Sequence, residues 1–466
     1  MMPLKSIAIP FFAALIAGCS GSGNVPVPEE NRTVVFEPGA PNFDMEAVAI
    51  LDPEGETGID IISAIPHTSL VYLNRGDRYV AGYELVVRVR SRGSGSTAAE
   101  TVITDTVVTT SYDSTQSLDR IYRRDRIRLA AGFYTLELSL KDSQNGARAV
   151  RTQDIEITDA SSGESLLSDV RLKISRSGGK LMPAVSLHLP VGYDSLMASA
   201  DLYNLPEQAE ASLTLIRFQS DTSVASPPYY FTPGPFTMPY IGVDYDGGDT
   251  IQVSRRNVSD ADDRVSIEFL LPALERGSYL AKLNVTGPSL EHSSVRHFNV
   301  MREGFPQIGE LDEMVEALRY IARDDEWMKM MQAESLEDKR LQFDSFWAGL
   351  VPNKEAAAAL LEAYYSRVEE ANLIFSNYKE GWKTDRGMIY IVFGAPPHTE
   401  EQHLRRDWYY YEEGFPLSRR LPAFVFRRST AYGLGGLFEK YVLQRTPAYE
   451  DEWRRRIEKW RDGISM

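Results

Sequence analysis

Alternation of apolar and polar residues with a period of two runs through much of the first 300 residues of this chain. Residues 83–90 (YELVVRVR) and 133–140 (FYTLELSL) are the clearest examples. Because successive side chains of a strand point to opposite faces, this pattern predicts strands with one buried face. Turn sequences at 74–77 (NRGD) and 145–146 (NG) separate such runs, and they predict antiparallel hairpins. Several short strands with this punctuation are typical of a β-sandwich.

A short pattern occurs twice in this β-rich part. Gly132-Phe133-Tyr134 and Gly277-Ser278-Tyr279 each open an alternating strand, and a closing strand ends 25 and 23 residues after the glycine, at Ile157 and Val300. We therefore predict two β-sandwich domains, at residues 33–160 and 165–303. We expect immunoglobulin-like topology for both, although the Cys and Trp landmarks of antibody domains are absent.

The remaining chain, residues 306–466, has a different character, because all six tryptophans follow residue 326. Apolar residues at 311, 314, 315, 318 and 321 have helical spacing. Ser335, with Asp338 three residues later, predicts the N-cap of a second helix. Further helices are predicted over 354–378 and 449–461, and short strands over 388–393, 408–411, 423–427 and 440–444. The sequence thus predicts an α+β domain, so that the whole chain is multidomain.

The N-terminus has the pattern of a secretory signal. One cation, Lys5, precedes an apolar run over 7–17, which is too short to span a bilayer and suits a signal h-region. The run ends in Leu-Ile-Ala-Gly-Cys at 15–19, similar to a bacterial lipobox, and Cys19 is the one cysteine of the chain. We predict a signal peptide over 1–18, a lipidated (palmitate-bearing) Cys19 and a flexible tether over 19–32. The alternative is an ordinary signal in which Cys19 is incidental.

These features predict a location in the cell envelope. The lipid would attach the protein to a membrane, and no later stretch approaches the length of a spanning helix. By resemblance to the common Gram-negative sorting rule, Ser20 after the cysteine favours the outer membrane, with the protein facing the periplasm. A single cysteine also excludes a disulfide framework, a Cys-rich zinc site and a dithiol redox centre.

Composition and motifs exclude several functional classes. There are 50 Lys+Arg against 66 Asp+Glu, a formal net charge of −16, which argues against a nucleic-acid partner. Signatures of serine hydrolases, zinc proteases and phosphate-binding loops are absent. His398 and His403 are five residues apart rather than the four that align ligands on a helix. Asp244, Asp246 and Asp249 predict a solvated turn, with a calcium loop as the alternative. We expect neither a metal nor a cofactor.

Residues 381–385 read Gly-Trp-Lys-Thr-Asp, which matches the signature of the GWxTD-domain proteins. The resemblance extends to 346–347 (FW), 364–372 (YYSRVEEAN) and 386–396 (RGMIYIVFGAP), and to the aromatic strands near 408 and 424. It implies a secreted or lipid-anchored envelope protein with a β-rich N-terminal region. It implies no established activity.

The motif has a structural interpretation. Gly381 can end a helix in the left-handed conformation, and Trp382 then buries its large ring. Thr384 and Asp385 can accept hydrogen bonds from amides of the turn, and Gly387 permits a reversal into the next strand.

A second interpretation of the same turn is functional. Arg386, which under the structural interpretation pairs with Asp385 or with an acid at a strand end, would instead join Thr384 and Asp385 beside Tyr390. The four side chains would then form a polar binding or catalytic cluster.

A second candidate surface precedes the aspartate-rich turn. Residues 229–240 are rich in aromatics and prolines, and proline excludes a central strand. Exposed rigid aromatics are typical of contact surfaces; the alternative is that they cap the end of the sandwich. The candidate partner contacts are Tyr229, Tyr230, Phe231, Phe236 and Tyr240.

Lipid tethering, modular sandwiches and the lack of a catalytic set favour a non-catalytic binding or assembly module for an envelope protein or glycan. The alternative is an envelope enzyme, or an accessory of polymer processing, with its site at the GWxTD motif.

Overall fold

A computed structural model of the chain describes residues 40–51, 56–158, 164–176, 178–205, 208–230, 242–259, 264–402, 405–410, 424–428 and 441–464. Cys19, the predicted signal peptide and the predicted tether lie outside the described residues. No helix among the described residues combines the length and the apolar character needed to cross a membrane.

The first β-sandwich begins at Asp44 and ends at Ile157. Its elements are β1 (Asp44–Leu51), β2 (Thr57–Pro66), β3 (Leu73–Asn74), β4 (Tyr79–Ser91), β5 (Thr97–Thr109), α1 (Tyr112–Thr115), β6 (Arg120–Arg128), β7 (Gly132–Asp142) and β8 (Arg148–Ile157). One sheet has the order β1-β2-β6, and the other has β4 between β5 and β7, with β8 beyond β7. Alternate residues of β4 and β7 form the core between the sheets, as the period of two predicts: Leu85, Val87, Val89, Leu136, Leu138 and Leu140 are fully buried.

The second β-sandwich repeats this construction. Its strands are β9 (Leu166–Leu167), β10 (Arg171–Ser175), β11 (Met182–Pro183), β12 (His188–Pro190), β13 (Ser195–Tyr203), β14 (Ala209–Ser220), β15 (Val243–Val258), β16 (Arg264–Leu271), β17 (Gly277–Thr286) and β18 (Glu291–Met301). One sheet places β13 between β10 and β16, and the other has the order β12-β18-β17-β14-β15. Both sandwiches therefore keep the first, second and fifth long strands in one sheet and the other four in the second. This is the predicted immunoglobulin-like arrangement.

The repeated Gly-x-Tyr pattern forms the same local structure in both sandwiches. The hydroxyl of Tyr134, near the start of β7, donates a hydrogen bond to the carbonyl of Ala130 at 2.9 Å. The hydroxyl of Tyr279 in β17 donates to the carbonyl of Glu275 at 2.8 Å. A tyrosine that bonds back to the chain a few residues upstream is the tyrosine corner of immunoglobulin-like folds.

Loss of either tyrosine-corner hydrogen bond should lower stability by a small, similar amount. We expect Tyr134→Phe and Tyr279→Phe each to reduce the free energy of unfolding by about 1 kcal/mol, because each removes the hydroxyl that donates one hydrogen bond to a backbone carbonyl. Urea titrations followed by circular dichroism measure this change. Tyr112→Phe is the control, since Tyr112 is 60% exposed. An equal loss in the control would contradict the assignment.

The C-terminal region combines helices with a small sheet, as predicted. Its elements are α2 (Leu311–Ala317), α3 (Asp324–Met331), α4 (Leu336–Leu350), α5 (Lys354–Phe375), α6 (Asp385–Phe393), β19 (His398–Gln402), β20 (Arg405–Tyr409), β21 (Phe424–Arg428), β22 (Tyr441–Leu443) and α7 (Glu450–Arg461). The sheet order is β19-β20-β21-β22. Five of the six tryptophans belong to one buried cluster, and the sixth, Trp327, packs against it. The Ser335 N-cap is confirmed, since its side chain accepts a hydrogen bond from the amide of Asp338.

Two local predictions are wrong. Residues 388–393, predicted as a strand, lie in α6, where every side chain of the run is buried; an apolar run without periodicity does not distinguish the two structures. The predicted turn at Asp244–Asp249 lies inside β15, where the pairing with β14 shifts register near Ile216. Gly248 is needed there for close packing, because a Cβ would lie 2.5 Å from Cγ2 of Ile216. The described residues contain no group of side chains that could hold a metal ion.

Buried ion pairs join the two sandwiches. Arg171 of the second sandwich donates to Asp60 of the first at 3.1 Å and to Asp201 of its own sandwich at 2.6 Å. Arg296 pairs with Glu46 at 3.0 Å, and both side chains are less than a tenth exposed. Since a buried charge without its partner is strongly destabilising, these pairs fix the relative position of the two sandwiches.

Candidate functional site

At Gly381 the chain lies directly against the backbone of α5. It begins a single turn of 3-10 helix, Gly381–Lys383, and a Cβ at this position would lie 1.8 Å from the carbonyl oxygen of Ala371. The predicted left-handed helix end is wrong: α5 ends earlier, at Phe375, and Gly381 is not among the described glycines with positive φ. The glycine is therefore required by lack of space.

Trp382 is held by its ring and its backbone. The residue is 1% exposed, and its ring meets that of Tyr320 edge-on, with 6.2 Å between the centroids. Its amide donates to Oδ1 of Asn372 at 3.2 Å, and its carbonyl accepts the Tyr320 hydroxyl at 2.7 Å. The indole Nε1 has no hydrogen-bond partner in the described part of the chain. The predicted burial of the ring is thus observed.

Lys383 occupies the x position of the motif, for which the sequence predicts no role. Its Nζ lies 2.9 Å from Glu316 and 3.5 Å from Glu380, and 4.8 Å from the centre of the Trp382 ring. Its carbonyl accepts the amide of Ala225 at 3.1 Å. The lysine therefore links the turn to α2 and to the second sandwich. An x in a signature gives no signal that its residue is buried.

Thr384 and Gly387 together start α6. The Thr384 hydroxyl donates to the carbonyl of Gly381 at 2.7 Å and accepts the amide of Gly387 at 3.0 Å, which makes it the helix N-cap. A Cβ on Gly387 would lie 1.9 Å from the Gly381 carbonyl oxygen. The predicted reversal into a strand at Gly387 is wrong; this glycine lets the first turn of a helix pack on the motif.

Asp385 bonds to residues far along the chain. Its carboxylate accepts the amide of Leu443 in β22 at 2.7 Å and two bonds from Arg445 at 2.5 and 3.3 Å. The predicted bonds to amides of its own turn and the predicted pair with Arg386 are therefore wrong. Arg386 places its guanidinium 4.6 Å from the centre of the Tyr441 ring. Asp385 attaches the start of α6 to the small sheet.

Tyr390 lies one and a half turns further along α6. Its hydroxyl donates to Oε2 of Glu370 in α5 at 2.5 Å. Burial and the Glu370 carboxylate both raise the pKa of Tyr390, so the phenol stays protonated at neutral pH. The four residues of the predicted polar cluster, Thr384, Asp385, Arg386 and Tyr390, thus bond or pack to different internal partners.

The segment after β14, which we call the strap (residues 222–230), crosses onto the motif. The carbonyl of Ser223 accepts Nζ of Lys379 at 2.7 Å, and the carbonyl of Ser226 accepts the Asp385 partner Arg445 at 2.9 Å. Tyr229 packs against the C-terminal core, so it serves an internal contact. Tyr230 is 58% exposed. The other candidate contacts, Phe231, Phe236 and Tyr240, lie outside the described residues.

A polar cavity of about 570 Å³ opens beside the motif, between the second sandwich and the C-terminal domain. Lys379, Glu380 and Lys383 line it, together with Arg217 and Arg276. Glu380 is 2% exposed and is bonded by Arg302 at 2.9 Å and by Arg276 at 3.1 Å. Burial lowers the pKa of Lys379. None of the predicted polar-cluster residues lines this cavity.

A sequence model of the GWxTD domain matches residues 283–462. The chain is a GWxTD-domain protein. No curated protein matches it. Among solved structures, the crystal structure of red sea bream transglutaminase is similar at 12% identity and a TM-score of 0.17, over 56% of this chain and 32% of that chain. The alignment thus spans about a third of the transglutaminase.

In this GWxTD domain, the residues around the motif that carry the family resemblance also form internal bonds. The hydroxyls of Tyr364 and Tyr365 donate to the carbonyls of Ala317 at 2.6 Å and Met314 at 2.8 Å. Asn372 joins the motif to the link between the second sandwich and α2 (residues 302–310), because its Nδ2 donates to the carbonyl of Pro306 at 2.9 Å. The signature of the domain is a network that fixes α2, α5 and α6 to one another.

Proposed function

We propose that this GWxTD-domain protein is a lipid-anchored protein of the cell envelope that acts as a non-catalytic binding or assembly module. Its partner would be an envelope protein or a glycan. The observation that carries the proposal is that each charged or hydroxyl side chain of the motif has an internal partner: Lys383 with Glu316, Thr384 with Gly381 and Gly387, and Asp385 with Arg445. A catalytic residue needs an atom that is free to meet substrate. The test is whether removing the Asp385 charge abolishes function in a chain that still folds.

The connection of three domains supports a role as a scaffold that presents a binding surface. Two sandwiches are joined to each other through Asp60 and Arg171, and the second is joined to the GWxTD domain through Arg302 and Glu380. The strap adds a backbone hydrogen bond, from the amide of Ala225 to the carbonyl of Lys383. Rigid connection of three domains suits presentation of a surface at a fixed distance from a membrane.

Lipidation at Cys19 is the second part of the proposal. The support is a lipobox-like sequence that ends on the one cysteine of 466 residues. We expect Cys19→Ala to abolish labelling with radioactive palmitate and to leave the unprocessed precursor in the cell. Ser20→Ala is the matched control and should label normally. Normal labelling of the Cys19 variant would exclude the lipid anchor.

An enzyme at the motif is the second candidate function. The observation in its favour is the cavity beside Lys383, since polar side chains converge on a concave surface there. Against it, the carboxylate of Glu380 is occupied by three cations, Arg302, Arg276 and Lys383. Neither Thr384 nor Asp385 reaches the cavity. We therefore favour the binding module.

A further inference from the structure

A second cavity, of about 590 Å³, lies where all three domains meet. Tyr122 of the first sandwich, Met182 of the second, Phe305 of the link and Leu373 of α5 contribute to its walls. Ligand sites of this volume are common at domain interfaces, and they combine apolar walls with a few polar groups. Nothing in the proposed function uses this cavity.

Part of the lining of this junction cavity is apolar. Val185 and Leu189 are each 2% exposed, and both face the cavity. The rings of His188 and Phe305 lie beside them, with 5.9 Å between the centroids. Nε2 of His188 is 2.9 Å from the carbonyl of Asn377, so one polar end of that ring is engaged by the protein.

The rim of the junction cavity exposes apolar side chains. Met182 is 40% exposed and Leu373 39% exposed, and both line the cavity. Leu181, next to Met182 in sequence, is also 39% exposed. Large apolar side chains that are left in water around a concave surface are typical of a binding site.

The charges at the junction cavity favour an anion. Arg120, Arg176 and Lys180 line it, against the acids Asp44 and Asp119. Asp44 is engaged by Arg120. Arg176 and Lys180 are exposed, and neither has an ion-pair partner among the residues that the structure describes. This excess of cations occurs in a chain with a formal net charge of −16.

We propose that the junction cavity binds a single-chain anionic amphiphile, a long-chain carboxylate, with its hydrocarbon chain against Val185, Leu189 and Phe305. The carboxylate lies at Arg176 and Lys180. Apolar lining residues, exposed apolar side chains and cations without an ion-pair partner among the described residues match the two ends of such a molecule. The assignment goes beyond the proposed binding module and does not depend on the lipid at Cys19.

One hydrogen bond connects the lining of the junction cavity to the GWxTD motif. Asn372 lines the cavity, and its Oδ1 accepts the amide of Trp382 at 3.2 Å. Leu373, the next residue of α5, forms part of the rim. A bound carboxylate should therefore stabilise the GWxTD domain as well as the junction.

The test is isothermal titration of the mature chain, residues 19–466, carrying Cys19→Ser so that no lipid of its own can fill the cavity. The probes are laurate, dodecylamine and dodecyl maltoside, each below its micellar concentration. We expect laurate to bind one to one, about tenfold more tightly than either other probe. No binding of laurate, or equal binding of all three probes, would overturn the proposal.

Variants locate the site. We expect the double change Arg176→Glu with Lys180→Glu, and separately Met182→Asp, to weaken laurate binding by about tenfold or more. Lys329→Glu and Leu341→Asp are the matched controls, because both residues are exposed and neither lines the cavity. Thermal melts without ligand establish that each variant folds. Unchanged laurate binding by the double variant would overturn the assignment. Binding to phosphatidylglycerol vesicles without binding to free laurate would also overturn it, because this surface would then contact a bilayer.

Discussion

Replacement of Gly381 by alanine should destabilise the GWxTD domain severely. The new Cβ would lie 1.8 Å from the carbonyl oxygen of Ala371 and 2.9 Å from the Cα of Asn372. Both atoms belong to the backbone of α5, so the conflict cannot be relieved by rotating a side chain. We expect the free energy of unfolding to fall by about 3 kcal/mol or more, the upper range for overpacking.

Tryptophan fluorescence measures this effect selectively, because all six tryptophans lie after residue 326 and report only on the C-terminal domain. Urea unfolding of Gly381→Ala is compared with that of Gly349→Ala in α4, where a Cβ meets nothing within 4 Å. The control should unfold like the wild type or at slightly higher urea, since alanine favours a helix over glycine by about 0.5–1 kcal/mol. Equal midpoints for the two variants would refute the role assigned to Gly381.

Removal of the Trp382 ring should have an effect of similar size. Trp382→Ala leaves a large cavity beside Tyr320, and truncation of a buried aromatic costs about 3–5 kcal/mol. The variant should also loosen the contact with Lys383, whose Nζ lies 4.8 Å from the ring centre. We expect a clear fall in the melting temperature of the full chain.

Trp382→Phe distinguishes burial from hydrogen bonding at this position. Since Nε1 of Trp382 makes no hydrogen bond within the described residues, phenylalanine should retain a large part of the stability that alanine loses. Melting followed by fluorescence and by circular dichroism provides the comparison. A Trp382→Ala protein with an unchanged melting curve and lost function would instead make the ring a functional contact.

The architecture could be predicted from local sequence because its causes are local. A period of two in β4 and β7 follows from one face packing in a core, and the Gly-x-Tyr repeat marks the same corner in both sandwiches. The N-cap at Ser335 depends on residues three positions apart. The prediction of a strand over residues 388–393 was wrong for the same reason, because an apolar run that is buried on every side has no local periodicity.

The candidate site was predicted only in part, because its contacts are distant in sequence. Asp385 meets Arg445, which is 60 residues later, and Arg445 meets Ser226, 219 residues earlier. Lys383 is bound by Glu316, 67 residues before it. Neither the spacing nor the residue types in the sequence predict such pairs. The burial of Trp382 and the bond from a nearby amide to Thr384 were predictable because ring size and hydroxyl chemistry favour them in any context, whereas the helix that Thr384 caps was not predicted.

We hold that the polar groups of the motif are structural, and the variant Asp385→Asn distinguishes this claim from a catalytic role. Asparagine keeps an acceptor for the Leu443 amide but loses the charge that holds Arg445, so the free energy of unfolding should fall by about 2 kcal/mol. A catalytic carboxylate would instead lose activity by about 10²–10⁴-fold. The measurement is complementation of a deletion strain by this variant at wild-type abundance. We predict a folded protein that restores the wild-type phenotype; a null phenotype from a chain that folds and still captures its partners would contradict the claim.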